Sequence, residues 1–152
     1  EVSNNVSLSP LRKIDLYPEG RPLTCLIYTS VAEIPHLEDL IQRLPNVCFK
    51  IAARVIVSDE LARLIVYPNV TIYSGINNMP NLDAELVTLS DVLLDINPGE
   101  KTIEILDRFR LEGKPILAFE EVKSTEHHQQ VFPMEDWKGL IDVICNMRKV
   151  QE

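Results

Sequence analysis

The sequence predicts a doubly wound α/β domain, and three observations carry that prediction. Short apolar runs recur along the chain, each separated from the next by a stretch with helical spacing. Two of the runs, Val92-Leu93-Leu94 with Ile96 and Ile116 to Phe119, are near-continuous instead of alternating, the mark of strands buried on both faces. Turn residues punctuate the unit from Asp91 to Phe119, with Asn97-Pro98-Gly99 after one strand and Gly113-Lys114-Pro115 before the next. Two buried strands joined by one helix form a right-handed crossover in a parallel sheet. Five strands alternating with about five helices predict a single Rossmann-like layer, all parallel, in the order 3-2-1-4-5.

Taken in order, residues 1–20 are polar and irregular, with Asn4-Asn5, Pro10 and Pro18-Glu19-Gly20, and read as a linker or arm. The domain is expected over 21–152, as the back part of something longer. Leu23 to Tyr28 is the first strand. Ser30 and Glu33 have capping-box spacing, while Pro35 is an alternative first helical residue. Either start leads to a helix with Ile34, Leu37, Leu40, Ile41 and Leu44 on one face. Val47, Phe49 and Ile51 begin the second strand. Ser58-Asp59-Glu60 then caps a helix that turns Leu61, Leu64 and Ile65 inward. Asn69 to Tyr73 is the third strand, closed by Ser74-Gly75. Pro80 suits the first turn of a helix carrying Leu82, Leu86 and Leu89 inward. In the central unit the helix runs through Ile103, Leu106 and Phe109 or Arg110, and Gly113 stops it. Glu120 to Gln130 is polar without periodicity. A last helix from about Glu135 to Arg148 buries Trp137, Leu140, Ile141 and Ile144.

Bulk properties narrow the function classes. At 152 residues the chain holds one domain with a real core. A net charge of -8 works against nonspecific binding to nucleic acid or anionic lipid, which needs clustered Lys and Arg. No apolar run approaches the roughly 20 residues of a membrane span, and no secretory signal pattern opens the chain. A cytoplasmic location is expected. Cys25, Cys48 and Cys145 match no zinc spacing and read as inert thiols. His127-His128 reads as a solvated loop, and His36 stands near a helix start.

The carboxyl edge of such a sheet is built from the strand-to-helix turns, here Thr29–Glu33, Ala52–Asp59, Ser74–Asn78, Asn97–Thr102 and Glu120–Thr125. Open α/β sheets bind ligands at that edge. A phosphate site needs small residues, free backbone N–H groups and a helix N-terminus. Asn97-Pro98-Gly99-Glu100-Lys101-Thr102 has these: Gly99 allows close approach, Thr102 offers a hydroxyl and Lys101 an ammonium. Asn-Pro-Gly is equally a plain turn, and local chemistry leaves both readings open. No G-x-G-x-x-G follows the first strand, no P-loop is present, and Cys25 to Ser30 contains no acidic pair of the receiver-domain kind.

The order of signals from Asn69 onward resembles the C-terminal half of GT-B glycosyltransferases, the two-Rossmann-domain sugar transferases. The resemblance rests on Val70-Thr71-Ile72-Tyr73-Ser74-Gly75, on Ser90-Asp91-Val92-Leu93-Leu94-Asp95-Ile96-Asn97-Pro98-Gly99-Glu100, and on Gly113-Lys114-Pro115-Ile116-Leu117-Ala118-Phe119. Leu94-Asp95-Ile96-Asn97 with Gly99, and Lys114 to Phe119, look most like the bacterial transferases and partner subunits that glycosylate serine-rich surface adhesins. The resemblance implies that this half binds a nucleotide sugar, a UDP-sugar, as substrate, with no cofactor and no metal. It places Gly75 and Ile76 against the nucleotide base, the turn Asn97, Gly99, Glu100, Lys101 and Thr102 against the diphosphate and sugar, and Arg54 as the assisting basic residue near the second strand's end. It assigns no catalytic residue to this half, which alone is expected to be inactive. The implied partners are the nucleotide-sugar donor, a protein acceptor, and either an N-terminal half of the same chain or a partner glycosyltransferase subunit.

One departure from the family pattern separates two readings. Retaining members carry two glutamates eight positions apart, the second five residues before the glycine of "G.P". Glu100 fits the first, but Arg108 stands at the second, reversing the local charge. Glu104 and Glu112 share the spacing but are out of register. The chain is therefore expected to be either the donor-binding half of an active transferase or a catalytically silent partner that binds the acceptor protein or stabilises an active subunit.

Overall fold

The computed structural model describes residues 22–31, 33–53, 59–74, 82–98, 103–123 and 130–151. Among them, six strands form one parallel sheet: β1 (Thr24–Thr29), β2 (Cys48–Ala53), β3 (Val70–Tyr73), β4 (Val92–Asp95), β5 (Ile116–Phe119) and β6 (Gln130–Phe132). Their order is β3-β2-β1-β4-β5-β6. The helices are α1 (Leu37–Arg43), α2 (Asp59–Ala62), α3 (Leu82–Leu89), α4 (Ile103–Leu111) and α5 (Trp137–Gln151), with short 3-10 turns at Arg63–Val66 and Met134–Asp136.

Successive strand residues point to opposite faces, and each face has its own core. Cys25, Ile27, Phe49, Ile51, Leu94, Ile96, Leu117 and Phe119 pack with Leu37, Leu40 and Ile41 of α1, Leu61 of α2, and Leu140, Ile141 and Ile144 of α5. Leu26, Ala52, Leu93 and Ile116 pack with Leu86 and Val87 of α3 and with Ile105, Leu106 and Phe109 of α4. The sandwiching helices explain why β4 and β5 are buried at every position. The stop after α4 is a Schellman motif: Gly113, at φ +70, lets Lys114 N–H reach the Phe109 carbonyl at 2.9 Å and Gly113 N–H reach that of Arg110 at 3.1 Å.

The expected five-stranded sheet gains a sixth member. β6 pairs in parallel with β5, Leu117↔Gln130 to Phe119↔Phe132. It has three residues, two of them exposed, so it carries little of the apolar signal that marks a strand. Four helix expectations also change. α1 starts at Leu37, later than either Ser30 or Pro35 implied, because His36 takes a left-handed backbone (φ 59°) that breaks any earlier helical path. After α2 the chain tightens into 3-10 geometry. Leu61 and Leu64, three apart, then share the buried side while Ile65 swings out to 63% exposure. In α3 Leu82 and Leu86 pack inward as expected, joined by Val87, while Leu89 at the helix end is half exposed. In α4 the buried stripe is Ile105, Leu106 and Phe109, so Ile103 at the first position faces solvent. The arm expected at residues 1–20 lies outside the described residues.

Candidate functional site

The strand order reverses between β1 and β4: β2 and β3 lie on one side of that boundary, β5 and β6 on the other. Connections leave such a pair toward opposite faces, and the carboxyl ends part to form a crevice. The register shows where the pair separates. β1 runs beside β2 for its whole length, Thr24↔Cys48 to Thr29↔Ala53. Beside β4 it is registered only at Cys25↔Val92 and Leu26↔Leu93. Past that point a side chain spans the gap. Asn97 Nδ2 donates to the Tyr28 carbonyl at 2.8 Å, and since a carbonyl only accepts, this fixes which end of the amide faces β1. Asn97 is 2% exposed and Asp95, at the end of β4, 5%. Tyr28, Leu93, Leu94, Asp95, Asn97, Ile105 and Leu106 line a small, partly open hollow of about 20 Å³ beside the crossing bond, room for about one water.

The rim beside the crevice is held by short-range contacts. Thr29 Oγ1 donates to the Val31 carbonyl at 2.9 Å and accepts from Val31 N–H at 3.0 Å, closing the exit of β1. The His36 ring stacks on Trp137 (5.2 Å, 16° between planes) and meets Phe119 edge-on at 6.0 Å. Its Nδ1 lies 3.1 Å from Asp39 Oδ2, and since an ionised carboxylate only accepts, Nδ1 carries the hydrogen. The Arg43 guanidinium stands 5.2 Å from the Trp137 ring centre. Glu121 Oε1 accepts from Met134 N–H at 2.8 Å, joining the exit of β5 to the approach of α5. At the end of β3, burial pushes the Tyr73 hydroxyl's pKa up, with Cys48 and Glu85 adding.

Residues 25–152 match the family described as the GftB/GlyA-F C-terminal domain. The chain belongs to that family. Glycosyltransferase GlyA of Streptococcus pneumoniae is 49% identical over 149 residues, which cover 98% of this chain and 21% of GlyA. GtfB of the same organism, the stabilizing protein of a UDP-N-acetylglucosamine–peptide N-acetylglucosaminyltransferase, is 34% identical over 96 residues, covering 63% of this chain and 21% of GtfB. Among solved structures, apo GlyE superposes with TM-score 0.76 at 27% identity, over 82% of this chain and 33% of GlyE. A chain of the GtfA/B complex bound to UDP and GlcNAc superposes with TM-score 0.71 at 28% identity, over 82% of this chain and 28% of that one. The chain thus spans about a fifth of the length of GlyA. The relatives of this GftB/GlyA-F C-terminal domain include a glycosyltransferase and a transferase-stabilizing protein, and its Rossmann-like sheet is that of its GT-B-like neighbours.

Within the GftB/GlyA-F domain, the expected donor residues fall unevenly. Asn97 stands at the switch point, with its amide engaged by β1. Arg54, Gly75, Ile76, Gly99, Glu100, Lys101 and Thr102 lie outside the described residues. The strands that lead to them, β2, β3 and β4, end at Ala53, Tyr73 and Asp95 on one edge of the sheet. Arg108 is solvent-exposed on α4, and no ion pair of its guanidinium is formed among the described residues. Sequence reasoning missed the cluster of His36, Phe119 and Trp137. Its members are about 80 and 20 residues apart in sequence, and no local spacing announces them. The three cysteines are free and Cys25 is buried, which pushes its thiol pKa far up, as inert thiols require. Among the described residues no cluster of His, Cys, Asp and Glu could hold a metal, and no helix is long and apolar enough to cross a membrane.

Proposed function

We propose that this domain is the donor-binding half of a glycosyltransferase, holding a UDP-sugar at the carboxyl edge of its sheet for transfer to a protein acceptor in the cytoplasm. The observation that carries the reading is the crevice between β1 and β4, in a fold that superposes on a complex bound to UDP and GlcNAc. Chemically, residues 97–102 immediately precede a helix of nine residues, whose N-terminal N–H groups and dipole favour a diphosphate. Lys101 and Arg54 supply positive charge to the same group, and Thr102 supplies a hydroxyl. Glu100 accepts hydrogen bonds from sugar hydroxyls, each worth about 1.5–3 kcal/mol when one partner is charged. Gly75 and Ile76 face the base in this reading. With half of a two-domain cleft, binding to this half alone is weak, because closure supplies the remaining contacts.

The test is transfer by the full-length protein and its Glu100→Gln variant. Loss of one charged hydrogen bond lowers turnover about tenfold to a hundredfold, and an unchanged rate rejects the donor site.

A second reading is favoured by Arg108, which stands where retaining members carry an acid, and by the likeness to a stabilizing protein. In it the domain is a silent partner that binds the acceptor or stabilises an active transferase. Glu100→Gln then changes nothing, whereas Arg108→Glu weakens co-purification of the assembly.

A further inference from the structure

Asn97 was expected to touch the donor, but its surroundings give it another task. A group that contacts ligand in a half-cleft must be reachable when the cleft is empty, and Asn97 is 2% exposed. Its amide N–H is directed at the Tyr28 carbonyl, 2.8 Å away and 69 positions back in the chain. That carbonyl lies beyond the last registered β1–β4 pair, Leu26↔Leu93. There the side chain does what a neighbouring strand's N–H does elsewhere in the sheet. It satisfies a strand carbonyl and fixes the distance between two parting strands. Asn97 is also two residues beyond the end of β4 and six before the start of α4.

We propose that Asn97 is the positioning residue of the donor site, a crossbar that sets the width of the β1–β4 crevice. This rests on the donor reading above. The geometry asks for both properties of asparagine. Its length bridges the two strand ends, and its amide donates. Aspartate keeps the length but sets an acceptor against an acceptor. Alanine removes the bridge. A misplacement of a positioning group on the scale of an ångström is enough to reduce function about a hundredfold.

The experiment uses the full-length protein with Asn97→Ala and Asn97→Asp, titrated by calorimetry with UDP and with UDP-GlcNAc and followed by hydrogen exchange. Dissociation constants are referred to the folded fraction, so a merely structural role, which lowers only that fraction, leaves them unmoved. The expected result is UDP binding weakened about tenfold in both variants, equal to ~1.4 kcal/mol. Faster exchange should be confined to the backbone amides of Tyr28–Val31 and Asp95–Asn97. Dissociation constants within twofold of the parent overturn the proposal, as does unfolding of both variants, since the crossbar acts on the crevice and not on the core. Should the parent protein bind neither ligand, the donor reading fails and the exchange pattern decides alone. Opening confined to the two strand ends upholds the crossbar, and unchanged exchange there overturns it.

Discussion

Two asparagines hold opposite ends of the same sheet and do different work. Asn69, just ahead of β3 at the amino end, points its amide at three carbonyls: Leu44 at 3.0 Å, Val47 at 3.1 Å and Ile41 at 3.4 Å. It thereby satisfies the end of α1 and the entry to β2. Around it the amino end is closed in the same manner. Asp91 Oδ2 accepts from Thr24 N–H at 2.8 Å, and Lys114 Nζ reaches the Val87 carbonyl at 2.6 Å at the end of α3. At the carboxyl end Asn97 donates across a gap between parting strands, and His36 holds a left-handed backbone under aromatic contacts. Non-glycine residues kept in that conformation concentrate at sites with a task beyond folding. The contrast teaches that polar side chains at the amino end stabilise, whereas those at the carboxyl end position.

Breaking that contrast starts with the largest effect. Phe119 is fully buried at the end of β5, and His36 rests against it. Phe119→Ala should destabilise the protein by about 3–5 kcal/mol, read from denaturant midpoints, and should shift the His36 imidazole resonances by removing the Phe119 ring current while that of Trp137 remains. Asn69→Ala removes a donor from three carbonyls and should cost about 2 kcal/mol while leaving nucleotide affinity of the folded protein unchanged. A fall in affinity there would erase the distinction between the two ends. Gly113→Ala meets no atom within 4 Å, so only its φ of +70 is penalised. A loss of about 1 kcal/mol is expected, again with nucleotide affinity intact.

The smallest effect is electrostatic. The Tyr67 hydroxyl donates to Glu38 Oε2 at 2.5 Å, and this bond, followed by Arg63, holds the Glu38 carboxyl below its ordinary value of 4.5. A carboxyl depressed on folding contributes stability above its unfolded pKa, and that contribution disappears as pH falls through the folded value. Unfolding curves should therefore show a shallow loss below about pH 4.5 that Glu38→Gln removes. Both partners are partly exposed on the surface, which keeps the effect small.

Much of the amino end and the core was legible in the sequence because it depends on periodicity and turn chemistry. Val92–Asp95 and Ile116–Phe119 read as buried strands from their composition, and Gly113 read as a helix stop because few other residues take positive φ. Where local geometry overrode pattern, legibility failed. Ile65 matched helical spacing yet turned outward once the chain tightened to 3-10, and β6 was too short and too exposed to register. Of the candidate site, Asn97 was placed after β4 by the sequence, but its bond to β1 was not foreseen. A hydrogen bond to a carbonyl 69 positions away leaves no trace in local spacing. The partnership of His36 with Trp137 and Phe119 was hidden for the same reason.

The central claim, that the carboxyl edge of this sheet receives a nucleotide sugar, is tested most directly by calorimetric titration of the full-length protein with UDP-sugars. The account predicts saturable binding that competes with UDP alone and weakens about tenfold in Glu100→Gln. No heat with any UDP-sugar up to the millimolar range would contradict it and leave the silent-partner reading standing.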